Sequence, residues 1–329
     1  MTMILVTGAM EELGREVVRQ LRARGVACTA FVQDEAQART MLGADMPLAI
    51  GDWGDYASVA AAVQGMDAVF LYSSPHLNQL VHEMQFIEAA NKAKVKHIVK
   101  ISLPQGVMTA AHRAHIPSAH AHWQIEEKLR HAGRGSAAYT IFNVNPLQQP
   151  FWKRAVGMIN HHGRLQLPLD NGALNLVDAR DVASAAAVAL TDKAHHQQTY
   201  ALTGPAALTG SQLAAAYSQA TGRTIGYRTM PISLLGFALR REGIFSPFLM
   251  AHEALLLNAY RQGAAETISP DLATILGRAP RTVGDYLGEQ AAVLAPVLPP
   301  PAPAWPKWAA VAGLLLAVLL PPQTAQTLC

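Results

Sequence analysis

The stretch VTGAMEELGREVV, residues 6–18, follows a short apolar run and opens an amphipathic helical pattern, with glycines at Gly8 and Gly14. A turn of this shape suits a dinucleotide pyrophosphate, because unpaired backbone N–H groups and the positive end of the helix dipole point at the helix start. That assigns Gly8, Met10, Glu11, Leu13 and Gly14 to a nucleotide-binding turn. Two carboxylates, Glu11 and Glu12, occupy the same helix start. Either they stand where phosphates belong, or they offset the helix dipole, an effect of about 0.3–1 kcal/mol each.

A second group suits proton chemistry. His122 and Glu126 are four residues apart and share a face if the segment is helical. An imidazole that titrates near neutrality can supply a proton there. The plain alternative is a helix-surface histidine paired with Glu126. His112, His115, His120 and His122 also invite a metal, since imidazoles suit zinc or copper. No thiolate joins them and their spacing matches no metal motif, so no metal site is assigned.

Positioning these groups requires a frame, and the chain supplies one by alternation. Apolar runs at 3–6, 28–32, 47–50, 68–72, 97–101 and 139–142 predict strands, and helical patterns at 13–24, 35–42, 56–63, 77–93 and 119–131 lie between them. Such βαβ units build a parallel sheet with helices on both faces, whose ligands bind at the carboxyl ends of the strands. Gly8, Gln33, Asp52, Ser73 and Ser102 fall along that rim.

After Asn143 the pattern loosens. The segment NLVDARDVASAAAVAL returns a strand and a helix, TYALTGPAALTG gives a strand and a turn before a helix capped near Thr209, and residues 230–294 read as mostly helical. The expected organisation is an α/β domain over 1–142, a smaller and mainly helical substrate-side lobe over 143–296 that sends a strand and a helix back to the first domain, a proline-rich linker over 297–307, and an apolar segment over 308–320.

Composition narrows the function. Of 329 residues, 15% are charged, and the formal net charge of +3 with no long basic run argues against nucleic acid as a partner. Two cysteines form no disulfide framework, and Cys28 sits in an apolar run as a core residue. The chain begins on a strand-like segment without room for a signal stretch, so a cytoplasmic body is expected. Residues 308–320 span roughly 18 Å as a helix, short of the ~30 Å hydrocarbon layer. Trp305, Lys307 and Trp308 resemble interfacial anchors, so the tail is expected to associate with a membrane or with a membrane-protein assembly.

Taken together, ILVTGAMEELGREVVRQL, GDWGDYASVAAAVQGMDAVFLYSSP, FIEAANKAKVKHIVKIS, HWQIEEKLRHAG, YTIFNVN, LVDARDVASAAAVAL and TYALTGP resemble the NmrA-like, quinone-oxidoreductase-2-like branch of the atypical short-chain dehydrogenases over residues 1–294. The resemblance implies a Rossmann-type doubly wound fold that binds NAD(P), serving either a reductase of quinones or azo dyes or a redox sensor. Glu11 stands where the family usually has a third glycine. Thr29 and Gln33 bring no cation to the place where relatives that prefer NADPH tend to carry arginine. NAD(H) is therefore expected over NADP(H), with Gln33 or Asp34 at the ribose and Asp52 and Trp53 near the adenine. A vacant site is the alternative.

The resemblance also marks what is missing. The Tyr-x-x-x-Lys pair of classical short-chain dehydrogenases is replaced near its place by His120 and Gln124, while His122 and Glu126 match the His-x-x-x-Glu of the NmrA-like branch. Asn143, Val144 and Asn145 replace the family's Arg-Pro-Asn, leaving Asn145 to line a pocket, and Asp178, Arg180 and Asp181 look like a structural hallmark that holds the lobe to the sheet. Two functions follow as expectations. One is an NADH-preferring oxidoreductase or sensor that acts on a hydrophobic, quinone-like small molecule. The other is a non-catalytic accessory subunit attached through its tail to a membrane-protein assembly.

Overall fold

The computed structural model describes residues 2–133, 135–241 and 243–294. The first half runs β1 (Met3–Val6), α1 (Glu12–Ala23), β2 (Ala27–Val32), α2 (Glu35–Leu42), β3 (Leu48–Ile50), α3 (Tyr56–Ala62), β4 (Ala68–Leu71), α4 (Gln79–Lys92), β5 (His97–Ser102), α5 (Ala110–Arg113), α6 (Pro117–Arg130) and β6 (Ala138–Val144). The second half continues with α7 (Gln148–His162), β7 (Arg164–Leu167), β8 (Ala173–Asn175), α8 (Ala179–Thr191), β9 (Gln198–Leu202), β10 (Ala207–Thr209), α9 (Gly210–Thr221), β11 (Gly226–Thr229), α10 (Leu235–Arg241), α11 (Pro247–Arg261), α12 (Asp271–Leu276) and α13 (Val283–Leu294).

Seven parallel strands form the main sheet in the order β3-β2-β1-β4-β5-β6-β9. Alternate residues of each strand serve opposite faces. Ile4, Val6 and Phe70 pack with α1 and α8, whereas Leu5, Val69, Leu71, Ile98 and Ile141 pack with α3, α4 and α6. Strand order reverses between β1 and β4, which leaves a crevice at their carboxyl ends.

The helices start where side chains can satisfy free backbone donors. Asp34, Asp55 and Asp178 cap α2, α3 and α8, and Thr209 with Gln212 forms a capping box at α9. Cys28 is buried in the sheet core, and burial pushes its thiol above the ordinary range.

The lobe has its own core around Trp152, Tyr217, Leu256 and Leu287. It is less purely helical than its sequence predicts, because β10 pairs with β8 and β11 with β7 in two small sheets. These strands have three or four residues each, too few for a periodic signal. β6 continues past residue 142 to Val144, and β9 and α8 return to the main sheet and its layers. The linker at 297–307 and the apolar segment at 308–320 lie outside the described residues. Among the described residues, no helix is long and apolar enough to cross a membrane.

Candidate functional site

A cleft of about 330 Å³ opens at the carboxyl ends of β1, β2, β3 and β4. Gly8, Met10 and Glu11 line one side, Gln33, Asp52 and Trp53 another, and Ser73, His76 and His82 a third. Both glycines of the turn answer to packing. Gly8 has φ +63°, and a Cβ there would lie 2.7 Å from the Tyr72 carbonyl oxygen. A Cβ on Gly14 would lie 2.1 Å from the Gly8 carbonyl oxygen, so α1 can sit against the turn only without a side chain.

The two acids of the turn diverge. Glu12 pairs with Arg15 at 3.2 Å, and Arg15 also donates to the Met10 carbonyl. Glu11 is the N-cap of α1 but makes no side-chain cap bond, and it lines the cleft. Burial, helped by the Glu11 carboxylate, pushes the Tyr72 hydroxyl above its ordinary range.

Gln33 Nε2 donates to Asp52 Oδ2 at 2.8 Å, and Asp52 Oδ1 accepts from the Gly54 amide at 2.6 Å. Asp34 is occupied as the α2 cap. His76 Nε2 lies 2.9 Å from His82 Nδ1, and His82 is held below the ordinary histidine value by burial and by His76, against the pull of Asp52. The residues lining the cleft include two carboxylates and neither lysine nor arginine.

Beneath Ser73 lies a buried polar network. Ser73 Oγ donates to Glu83 Oε1 at 2.7 Å, and the other Glu83 oxygen faces Lys100 Nζ at 2.9 Å, with both charged side chains fully buried. Gln79 Nε2 is 3.2 Å from Ser73 Oγ and from Glu83 Oε1, and 3.3 Å from His122 Nε2. A second cluster closes the ends of β5 and β6. There Glu126 accepts from Ser102, from Asn143 Nδ2 at 3.3 Å and from Arg130 Nη2 at 2.7 Å.

His122 and Glu126 therefore share a helix without pairing with each other. His122 is buried, not a helix-surface residue, and its Nδ1 has no hydrogen-bond partner among the described residues. Burial, with Lys100 and His252 adding repulsion, holds its imidazole well below the ordinary value and hence neutral. No group of three or more histidine, cysteine or carboxylate side chains that could hold a metal occurs among the described residues.

Of the sequence candidates, Gly8, Met10, Glu11, Gln33, Asp52, Trp53 and Ser73 meet in the cleft. Leu13 faces the core, and Gly14 supports the turn from behind. Ser102 bonds to Glu126, and Asn145 Nδ2 donates to the Asn175 carbonyl at 3.2 Å, so both lie outside the cleft lining. Sequence reasoning passed over Gln79, Glu83, Lys100, His76 and His82. One signal was present: Lys100 interrupts the apolar strand HIVKIS, and a buried lysine requires a partner.

A second concavity, an apolar cavity of about 220 Å³, begins at Pro146 and Leu147 just after β6 and continues into the lobe. Leu235 and Leu239 of α10, Leu256 and Tyr260 of α11, and Leu167 wall it. Its charged feature is Arg154, which donates to Glu253 at 2.9 Å. The lobe is held in place by two acids of α8. Asp178 is bound by Arg180 and Gln149, and Asp181 by Arg278 and Arg281. Burial alone would raise the Asp178 carboxyl, but its hydrogen bonds from Arg180 and Gln149 hold it below the ordinary range.

A family model described as the NmrA-like family matches residues 1–287. The chain is 30% identical over 293 residues to an NAD(P)H azoreductase of Xenophilus azovorans, covering 88% of this chain and 98% of that protein. It is 27% identical over 245 residues to quinone oxidoreductase 2 of Escherichia coli strain K12, covering 74% and 82%. The structure of Citrobacter sp. triphenylmethane reductase complexed with NADP(H) matches the fold with a TM-score of 0.76 at 24% identity, over 88% of this chain and 100% of that one.

Proposed function

The chain belongs to the NmrA-like family, and from that premise we propose that it is a nicotinamide-dependent oxidoreductase that prefers NADH and reduces a flat apolar acceptor such as a quinone. The observation that carries this reading is the glycine-built cleft at the strand reversal, on the same sheet rim as an apolar cavity. The names of the azoreductase and quinone oxidoreductase relatives support it.

The residues present fit a dinucleotide. The backbone from Gly8 to Glu11 would take the pyrophosphate, Gln33 the adenosine ribose, and Asp52 and Trp53 the adenine, with Ser73 further along the cleft. Glu11 and Asp52, with no facing lysine or arginine, would repel a 2′-phosphate and tolerate a 2′-hydroxyl. The bound cofactor supplies hydride. The protein's part is to orient it, and the apolar cavity excludes water around the acceptor. Neutral, buried His122 is a poor acid, so the proton that completes reduction comes from water, while the Ser102–Glu126–Asn143 cluster holds the ends of β5 and β6 rigid. The apolar segment at 308–320 keeps the cytoplasmic body near the membrane, where such acceptors partition.

Calorimetric titration of NADH, NAD, NADPH and NADP tests the reading. Micromolar NADH binding with much weaker NADPH is expected. Gln33→Arg should strengthen NADPH roughly tenfold or more, the worth of one charge-assisted phosphate contact. The Glu11 side chain in the cleft favours a second reading, a non-catalytic accessory subunit of a membrane-protein assembly. If neither the natural chain nor Glu11→Gly binds any of the four nucleotides, that second reading replaces the first.

A further inference from the structure

Large apolar side chains that face solvent gather in one part of the lobe. Leu234, Phe237 and Phe245 are 55%, 68% and 71% exposed and fall within twelve residues. The same segment has an inner side, since Leu235 and Leu239 are buried and wall the apolar cavity. At 100° per residue, Phe237 points half a turn away from these two, so α10 is a single-helix partition between the cavity and the outside.

Charge marks what lies outside. From 223 to 245 the sequence carries four arginines against one carboxylate, Glu242, and Arg228 and Arg240 are exposed. Exposed aromatic rings flanked by arginines suit the interface of an anionic lipid bilayer, where rings enter the headgroup layer and guanidinium groups meet phosphate.

We infer that the face carrying Arg228, Phe237, Arg240 and Phe245, centred on α10, docks on the surface of an anionic phospholipid bilayer, with Phe237 and Phe245 inserted and Arg228 and Arg240 at the headgroups. An apolar acceptor would then pass from lipid to cavity beside α10. That last step rests on the cavity being the acceptor site, whereas docking is measured without nucleotide, so the two can fail separately.

Hydrogen exchange of the full chain, mixed with vesicles of phosphatidylcholine alone or with added phosphatidylglycerol, tests the docking. Anionic vesicles should slow exchange over 234–245, and raised salt should weaken the effect. Arg228→Glu with Arg240→Glu should cut the protection over 234–245 by about tenfold or more, and Phe237→Asp with Phe245→Asp should remove it. Three results would overturn the inference: no vesicle binding, vesicle binding that leaves exchange over 234–245 unchanged, or protection there without vesicles that grows with protein concentration. The last would mean that a second copy covers this face.

Discussion

The cleft and the cavity occupy different stretches of one sheet rim and are built in different ways. The cleft is assembled from residues at strand ends, Gly8 after β1, Gln33 after β2, Asp52 after β3 and Ser73 after β4, so its position follows from the sheet order. The cavity is walled by side chains from α7, β7, α10 and α11, held together by packing across the lobe. One carries two carboxylates and two histidines, whereas the other is apolar with the Arg154–Glu253 ion pair at its wall. A site built from strand ends inherits its geometry from the sheet, but a site built between helices depends on each contact that holds the helices apart.

Three perturbations should separate the two. The largest effect is expected at the floor of the cleft. Lys100→Met leaves Glu83 charged and buried without its cation, which should cost about 3–5 kcal/mol in urea unfolding. Ser73 shares Glu83, so nucleotide binding should weaken along with stability. Adding Glu83→Leu should recover much of the stability, and failure to recover would mean that the loss does not come from an uncompensated Glu83 carboxylate.

On the cavity side, Leu256→Ala should cost about 2 kcal/mol, the low end for a buried leucine because the space already exists. NADH affinity should stay unchanged. A parallel loss of NADH binding would show that cleft and cavity are not independent.

The third effect concerns pH and accumulates with each unit. His122 of α6 and His252 of α11 are both held below the ordinary 6.5, His122 by burial, Lys100 and His252, and His252 by burial against the opposing pull of Glu253. Below about pH 6.5 the unfolded chain therefore binds more protons than the folded one. The stability these residues contribute is present above that pH and is lost as the pH falls, by up to about 1.4 kcal/mol per unit for each histidine. Buried His97, held down to about 3 by burial and by His196 and His195, adds a slope of the same sign. Urea unfolding between pH 7 and 4.5 should therefore show their sum, and His252→Asn should reduce it by one histidine's share. An unchanged slope would place the acid sensitivity elsewhere.

Much of the frame was legible because its signals are local. The pattern at 35–42 predicts a helix with the bounds Glu35–Leu42 that are observed, and the apolar run at 3–6 is β1. Thr209 marks the start of α9 because a capping box is written within four residues. Gly8, Gln33, Asp52 and Ser73 were legible as rim residues because they follow strands, whereas Ser102, placed on the same rim, bonds to Glu126 outside the cleft lining. The lobe's short strands were not, since β8 and β10 have three residues each and pair across a long separation.

By itself, then, the sequence determined the alternation of strands and helices, the glycine turn and the acids that accompany it, because each depends on neighbours along the chain. Only the tertiary structure decided that Glu11 lines the cleft, because the ends of β2, β3 and β4 close around its turn, whereas Glu12 pairs locally with Arg15. It also decided that His122 is buried against Gln79 and does not pair with Glu126, and that Lys100 on β5 finds Glu83 on α4. The physical reason is the same in each case: helical spacing states which side chains share a face, but the strands and helices packed against that face choose their partners.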